Sequence, residues 1–418
     1  MKPTIVAPWG SYQKALTAAR FWAEEVYMWV PFTSLRMRQN KISDFEELKK
    51  TVDWVHSFWS RAFLTMNIFP RNTDIKIFEA TVEKIADVWA DAIIFSDPWT
   101  FHILKKYLPN THLHLSTQTS TLNYSAVKFW YDLWVKRVVL ARELHIDEIK
   151  EIKKQVPWME LEVFVHGAMC MSYSGRCLLG DYMNWRPWNK WECSHACRFK
   201  YNVRIEEERR PWKLFKIEKD DNWTNYILSS KDLCTIDRLA EILPYVDAMK
   251  IEWRSKSEFY VWALVKAYKH VRDSIIEWKE IDNDIKNLVN CIPHREYRSG
   301  FLFNNLSDYP EWEVEDFTTK TSPWPLFNRN YFWIIEAESK EFNWEMYFKY
   351  SPKEVVEIGT DLNYLSPDTN WTLKITWIVN EKWKEIEKGT CNTPNLYIKA
   401  DIPLKGGELL YIPFKENK

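Results

Sequence analysis

The chain has 418 residues, 46% hydrophobic and 28% charged, which suits one large domain plus a smaller one and excludes a disordered or fibrous protein. Its formal net charge of −1 supplies no global field for nucleic acid or a membrane surface, so such a partner would need a local patch. No apolar h-region follows Met1 and no run approaches about 18 apolar residues, so neither a signal peptide nor a membrane span is expected.

From Thr4 onward, apolar strand-like runs alternate with amphipathic stretches. The runs are Thr4–Pro8, Glu25–Met28, Ala62–Asn67, Asp91–Ser96, His112–Thr117, Arg137–Ala141, Glu160–His166 and Ala248–Glu252. Between them, Asp44–Phe58 carries Phe45, Leu48, Val52 and Val55 at helical spacing, and Asn123–Leu133 also reads as a helix. Eight strands alternating with helices predict a parallel sheet closed into a (β/α)8 TIM-like barrel over residues 1–300. A doubly wound open sheet is the alternative. The stretch from Cys170 to Ser230 breaks the rhythm and is long for a loop, which marks it as functional. Within it, Arg204–Lys216 has the pattern of a hairpin. Beyond Tyr297 the runs Tyr331–Glu338, Phe342–Tyr350, Glu354–Gly359, Leu373–Val379 and Tyr397–Ile402 predict a small C-terminal β-barrel domain at 325–418.

One feature of the composition is abnormal: 25 Trp stand beside only 9 Gly. Ordinary usage of about 7% would give roughly 29 Gly in a chain of this length. Position points the same way. Trp22 and Trp134 fall at helix ends just before new strands, where a left-handed glycine is the usual stop. Trp9 in Ala7-Pro-Trp-Gly-Ser11, Trp99 after Ser-Asp-Pro and Trp371 after Asn370 read as turn positions too. The hypothesis is that many of these Trp codons are UGA and that the source organism reads UGA as glycine.

Five of the 7 cysteines fall between Cys170 and Cys234. They are Cys170 and Cys177 after the seventh strand, Cys193 and Cys197 in Cys193-Ser-His-Ala-Cys197, and Cys234 in Lys231-Asp-Leu-Cys234. Without an export signal the chain belongs in a reducing cytoplasm, where cysteines serve as metal ligands or free thiols rather than disulfides. Four thiolates suit tetrahedral zinc or an iron–sulfur cluster, and the spacing does not choose between them or against unlinked buried thiols. His114 and Gln118 after the fifth strand, Arg142 and Glu143 after the sixth, and His166 in the seventh converge on the C-terminal mouth of the predicted barrel. There Arg142 would grip a small carboxylate, with Arg176 or Arg254 assisting, and His166 would carry a proton. Arg198, Lys200, Arg204, Arg209, Arg210, Lys213 and Lys216, interleaved with Phe199, Tyr201 and Phe215, form a basic and aromatic cluster of the kind that binds single-stranded RNA. The alternative for that cluster is a solvated hairpin whose Glu206–Glu208 cancel much of the field.

Long stretches of this sequence resemble the peptidase U32 family. They are His166 to Tyr201, Ala7-Pro-Trp-Gly-Ser11, Ser34-Leu-Arg36, His114-Leu-Ser-Thr-Gln118, Arg137-Val-Val-Leu-Ala-Arg-Glu143 and Lys250-Ile-Glu-Trp-Arg254. Trp185, Trp188 and Trp191 stand where that family's loop carries glycine. The likeness implies oxygen-independent hydroxylation, most closely of the tRNA wobble uridine to 5-hydroxyuridine, with prephenate as co-substrate. It also implies a 4Fe–4S cluster on Cys170, Cys177, Cys193 and Cys234, with Cys197 to spare. A collagenase-like metal-dependent peptidase is the first alternative, although no Gly-x-Ser-x-Gly elbow or His-Glu-x-x-His helix is present. A zinc-stabilised RNA-binding protein is the second.

Overall fold

Short, continuous apolar runs rich in β-branched residues form strands buried on both faces, because helices and barrel interior cover the two sides. The computed structural model describes residues 2–8, 18–19, 21–31, 33–34, 44–170, 172–174, 176–177, 179, 204–207, 210–216, 231–252, 258–292, 294–295, 297–303, 332–342, 345–350, 355–366, 370–390, 396–404 and 409–411. The first strands are β1 Thr4–Pro8, β2 Glu25–Trp29, β3 Arg61–Met66, β4 Ala92–Phe95, β5 His112–Leu115, β6 Arg137–Val139 and β7 Glu160–Ala168. The hairpin strands β8 Arg204–Glu207 and β9 Arg210–Lys216 follow, then β10 Asp232–Cys234 and β11 Ala248–Ile251. Strands β1 to β7 pair parallel in sequence order, and β11 closes the ring by pairing with both β1 and β7. The eight-stranded parallel barrel is therefore closed, and the open doubly wound arrangement does not occur.

Local chemistry sets the helices between these strands. Helix α1 (Phe45–Ser57) buries Leu48, Thr51, Val52 and Val55, spaced to form one stripe, and Asp44 caps it by accepting from the Glu47 amide. Burial of each such aliphatic side chain stabilises the fold by about 1.5–3 kcal/mol. Helices α2 (Ile75–Ile85), α3 (Pro98–Tyr107) and α5 (Ile146–Gln155) also bury a stripe of residues, while α4 (Tyr124–Asp132) buries Val127. Asp97 caps α3, Asn123 caps α4, and His145 forms a reciprocal capping box with Glu148 on α5. The short helix α6 (Leu239–Ile242) precedes β11, and the long α7 (Glu258–Glu277) follows it. No helix among the described residues is long and apolar enough to cross a membrane.

The lower barrel interior is ionic. Arg137 at the start of β6 donates to Glu25 at 2.9 Å, to Glu160 at 2.9 Å and to Glu162 at 3.1 Å. Arg61 also pairs with Glu25, and Lys250 donates to Glu162 at 2.6 Å. At its solvent edge Lys136 also pairs with Glu160 at 3.0 Å, so every carboxylate of the cluster meets at least two cations. Burial pushes the Glu162 carboxyl upward, but Lys250 and Arg137 outweigh it and hold it below the usual carboxylate range. Burial likewise opposes charge on Arg137, yet the surrounding carboxylates keep it more firmly protonated than usual.

The chain divides into two compact units, residues 1–286 with 294–326, and residues 287–293 with 327–418. In the first, β12 (Tyr297–Arg298) pairs with β10, itself antiparallel to the end of β7. The second holds β13 Phe332–Phe342, β14 Glu345–Tyr350, β15 Val356–Glu357, β16 Asp361–Leu365, β17 Asn370–Val379, β18 Lys388–Gly389, β19 Leu396–Ala400 and β20 Leu409–Tyr411. Six of them close in the order β13-β14-β19-β17-β16-β20 around Leu362, Tyr364, Leu373, Ile375 and Ile398. Strands β16 and β20 were not expected from the sequence: β16 is a five-residue run in which Asp361 and Asn363 interrupt the apolar residues, and β20 is three residues long.

Two turn expectations for tryptophan are corrected. Trp99 lies in the first turn of α3, where its amide bonds the Asp97 cap, and Trp371 lies within strand β17. Trp9 is outside the described residues.

Candidate functional site

The C-terminal strand ends carry a ring of buried polar groups. After β5 the chain turns at Thr117–Thr119 and buries Gln118; after β6 it turns again and presents Arg142 and Glu143. The Arg142 guanidinium lies 3.9 Å over the Phe164 ring, and its Nη2 is 2.9 Å from Oε2 of Glu252, which directly follows β11. Both charged side chains are almost fully buried. The sequence reading missed Glu252 as the partner of Arg142, although it sits in the Lys250-Ile-Glu-Trp-Arg254 motif. An acidic residue two positions after Lys250, just past the strand end, was the available signal.

Gly167 makes this pairing possible. Its φ is +120°, and a Cβ there would stand 2.6 Å from the Cβ of Glu252. Only glycine lets β7 pass so close to the Glu252 backbone.

Several polar atoms around this mouth have no hydrogen-bond partner among the described residues: Gln118 Oε1, Arg142 Nε, Glu143 Oε2, Thr33 Oγ1 beyond β2 and Asn67 Oδ1 beyond β3. Buried polar atoms left unpaired are costly, so their gathering at one face suits a polar small molecule. Thr33 and Asn67 were not singled out from the sequence. Burial pushes the Glu143 carboxyl above its ordinary value, against the opposing effects of its backbone hydrogen bond and Arg142.

His114 lies deeper. It is buried in β5, edge-on to Phe63 at 4.8 Å, between the mouth and the ionic cluster. Burial first, then Arg137 and Lys250, lower its pKa well below 6.5, so the ring is neutral. A histidine depressed in the fold binds its proton more readily when unfolded. Its contribution to stability is therefore full above about pH 6.5 and is lost as the pH falls through that value. The melting temperature should drop between about pH 7 and pH 5, and the drop should shrink in His114→Gln. Thermal melts across that range check this; an identical slope in the variant would remove His114 from the account.

The sequence profile of peptidase family U32 matches residues 10–310. The tRNA hydroxylation protein P of Escherichia coli (strain K12) is 33% identical over 351 residues, 75% of this chain and 77% of that protein. The protein of the same name from Haemophilus influenzae is 30% identical over 428 residues, covering 92% of this chain and 90% of that one. A collagenase of Porphyromonas gingivalis is 29% identical over 276 residues, 63% of this chain and 64% of its own. The chain belongs to peptidase family U32.

In this U32 barrel His166 is enclosed rather than open to the mouth. Tyr260, Tyr268 and Tyr297 surround it with ring centroids 6.0, 5.7 and 5.2 Å away. Its Nδ1 lies 3.3 Å from the Tyr268 hydroxyl and its Nε2 3.4 Å from that of Tyr297. Tyr268 donates to the Val165 carbonyl at 2.8 Å, which leaves its oxygen to accept from the Nδ1–H of His166. These tyrosines also escaped the sequence reading, because two sit on α7, roughly 100 residues further along the chain.

Cys170 follows β7, Cys177 lies shortly after it, and Cys234 ends β10 opposite His166 in the strand register. All three are half-buried, and burial pushes the Cys234 thiol up to about 11. Soft sulfur donors fit an iron–sulfur cluster in chemistry. No group of three or more metal-ligating side chains gathers among the described residues. Cys193, Arg198, Lys200 and Arg254 lie outside the described residues. Arg176 is exposed, its guanidinium 5.9 Å from the Phe69 ring.

Proposed function

We propose that this U32 chain is a cytoplasmic tRNA hydroxylase that places a hydroxyl on C5 of the wobble uridine, with prephenate as oxygen donor. A likeness over 92% of the chain to a protein named for tRNA hydroxylation carries the reading. The barrel mouth supports it, because a buried guanidinium beside unpartnered polar atoms suits a small molecule bearing carboxylates. The transformation balances as C5–H plus R–OH giving C5–OH plus R–H. The donor therefore carries both the oxygen and the oxidising equivalents.

In this scheme Arg142 takes a donor carboxylate on its fork, with Phe164 beneath the guanidinium and Glu252 fixing its direction. Gln118 and Asn67 orient the donor through their amides. Glu143 would take the C5 proton, and His166, closed in by tyrosines, holds β7 against α7. Cys170, Cys177, Cys193 and Cys234 would hold a 4Fe–4S cluster, which when bound supplies electron transfer. The basic stretch around Arg198 and Lys200, with Arg176 and Arg254, would meet the RNA phosphates.

Anaerobically purified protein, incubated with unmodified tRNA and prephenate, should yield 5-hydroxyuridine in the digested nucleosides. Absence of that nucleoside together with chelator-sensitive cleavage of collagen-like peptides would replace this reading with the peptidase one, which the collagenase relative motivates. Zinc in place of iron, with RNA bound and unchanged, would leave only an RNA-binding role.

The ligand set is testable separately. Iron content should fall to background in Cys170→Ser, Cys177→Ser, Cys193→Ser and Cys234→Ser, while Cys291→Ser should retain it. Iron and sulfide analysis of the purified variants checks this, and full iron in any of the four removes that cysteine from the set.

A further inference from the structure

Ten described residues have a positive φ: three are glycine, six are tryptophan and one is Ser120. The tryptophans are Trp22, Trp59, Trp89, Trp134, Trp278 and Trp383, with φ between 55° and 68°. A residue with a Cβ is strained in this region. Where other residues do occur there, asparagine and aspartate lead, and bulky aromatics are outliers. No asparagine or aspartate occupies such a position among the described residues.

The hydrogen bonding around these tryptophans is that of helix ends closed by glycine. At Trp134 the amide bonds the Tyr131 carbonyl at 2.8 Å, and the next amide, of Val135, reaches back to Trp130 at 3.1 Å. Trp22 with Ala23 repeats this pair of bonds to Ala19 and Ala18, and Trp278 with Lys279 repeats it to Ile275 and Ser274. This is the double-bonded helix stop in which glycine holds the left-handed position. Trp59 stands just past the Phe58 cap of α1, and Trp89 is the left-handed cap before β4. Strands β2, β3, β4 and β6 each start within a few residues of one of these stops, as short connections between helix and strand require.

The side chains do little in return. The relative exposures of Trp22, Trp59, Trp89, Trp134 and Trp278 are 55, 96, 76, 84 and 95%. Trp383 differs in stacking on Tyr397 at 5.3 Å, but shares the backbone conformation. Trp130 is the contrast: it lies within α4, without positive φ, edge-on to Phe95 and Phe101 at 5.6 and 6.0 Å.

We infer that the native chain carries glycine at positions 22, 59, 89, 134, 278 and 383, its host reading the codon there as glycine. With 25 Trp against 9 Gly, writing UGA as tryptophan merges it with the ordinary tryptophan codon UGG, so that some tryptophans, Trp130 among them, are genuine. The inference concerns the molecule the cell makes and is independent of which reaction it catalyses.

Peptide mass spectrometry of the protein isolated from its own host tests it. Glycine is expected in the peptides spanning these six positions and tryptophan at Trp130; tryptophan at the six overturns the inference. Recombinant protein gives a second readout. Each of Trp22→Gly, Trp59→Gly, Trp89→Gly, Trp134→Gly and Trp278→Gly should melt at a higher temperature than the parent, and Trp130→Gly at a lower one. A lower melting temperature in the five exposed-site variants counts against the inference as directly as tryptophan in the peptides.

Discussion

Arg137→Met should destabilise the barrel by about 3–5 kcal/mol, the cost of removing one partner from a buried ion pair. Arg137 is the hub of the interior cluster: it bonds Glu25, Glu160 and Glu162, and two of these carboxylates are wholly buried. Methionine fills much of the volume but leaves Glu25 with Arg61 and Glu162 with Lys250, so one cation must serve where two did. The carboxylates respond by taking up protons at higher pH. Glu162, whose pKa the fold lowers, normally contributes stability above its unfolded value near 4.5 and loses it in acid. In the variant Glu162 is lowered less, so its contribution at neutral pH is smaller and the further loss of stability below about pH 4.5 should shrink. Urea unfolding at neutral and mildly acidic pH measures both effects. A midpoint unchanged from the parent would mean that the cluster is not the coupled unit its distances describe.

On the proposed reaction, Arg142→Ala should weaken donor binding by about 2–5 kcal/mol, a rise of roughly thirtyfold or more in its KM. The same change strands Glu252, whose side chain is only 5% exposed, so stability falls as well. The two effects separate in the double variant. Adding Glu252→Gln removes the uncompensated charge and should restore much of the stability, but not the donor affinity. Arg142→Lys keeps the charge and loses the planar fork over Phe164, so an intermediate KM is expected. Steady-state kinetics with varied prephenate, paired with thermal melts, distinguish the outcomes. A donor KM untouched in Arg142→Ala would assign this arginine to structure alone.

Much of the fold was legible in advance because its signals are local. The helices expected at Asp44–Phe58 and Asn123–Leu133 coincide with α1 and α4 together with their caps, since an Asp or Asn before an apolar stripe sets a helix start within a few residues. All eight barrel strands appeared as apolar runs. The hairpin at Arg204–Lys216 formed as its alternation indicated. Strand β16 was missed because five residues broken by Asp361 and Asn363 are too short to give a clear period. Arg142, Glu143 and Gln118 were placed at the mouth by counting from strand ends. Their partners were not, because Glu252 lies 110 residues from Arg142 in sequence and nothing local links them.

By itself the sequence determined the family, the order of strands and helices, and the excess of tryptophan at helix stops. Those properties reside in short stretches of chain, where period, capping residue and motif are read without reference to distant parts. Tertiary structure alone decided that Arg142 leans on Glu252, that tyrosines enclose His166, and that one arginine gathers three carboxylates. It also decided which tryptophans occupy left-handed backbone. Closing the barrel brings together residues that are remote along the chain, and the electrostatics of a buried group depend on those neighbours rather than on its place in the sequence.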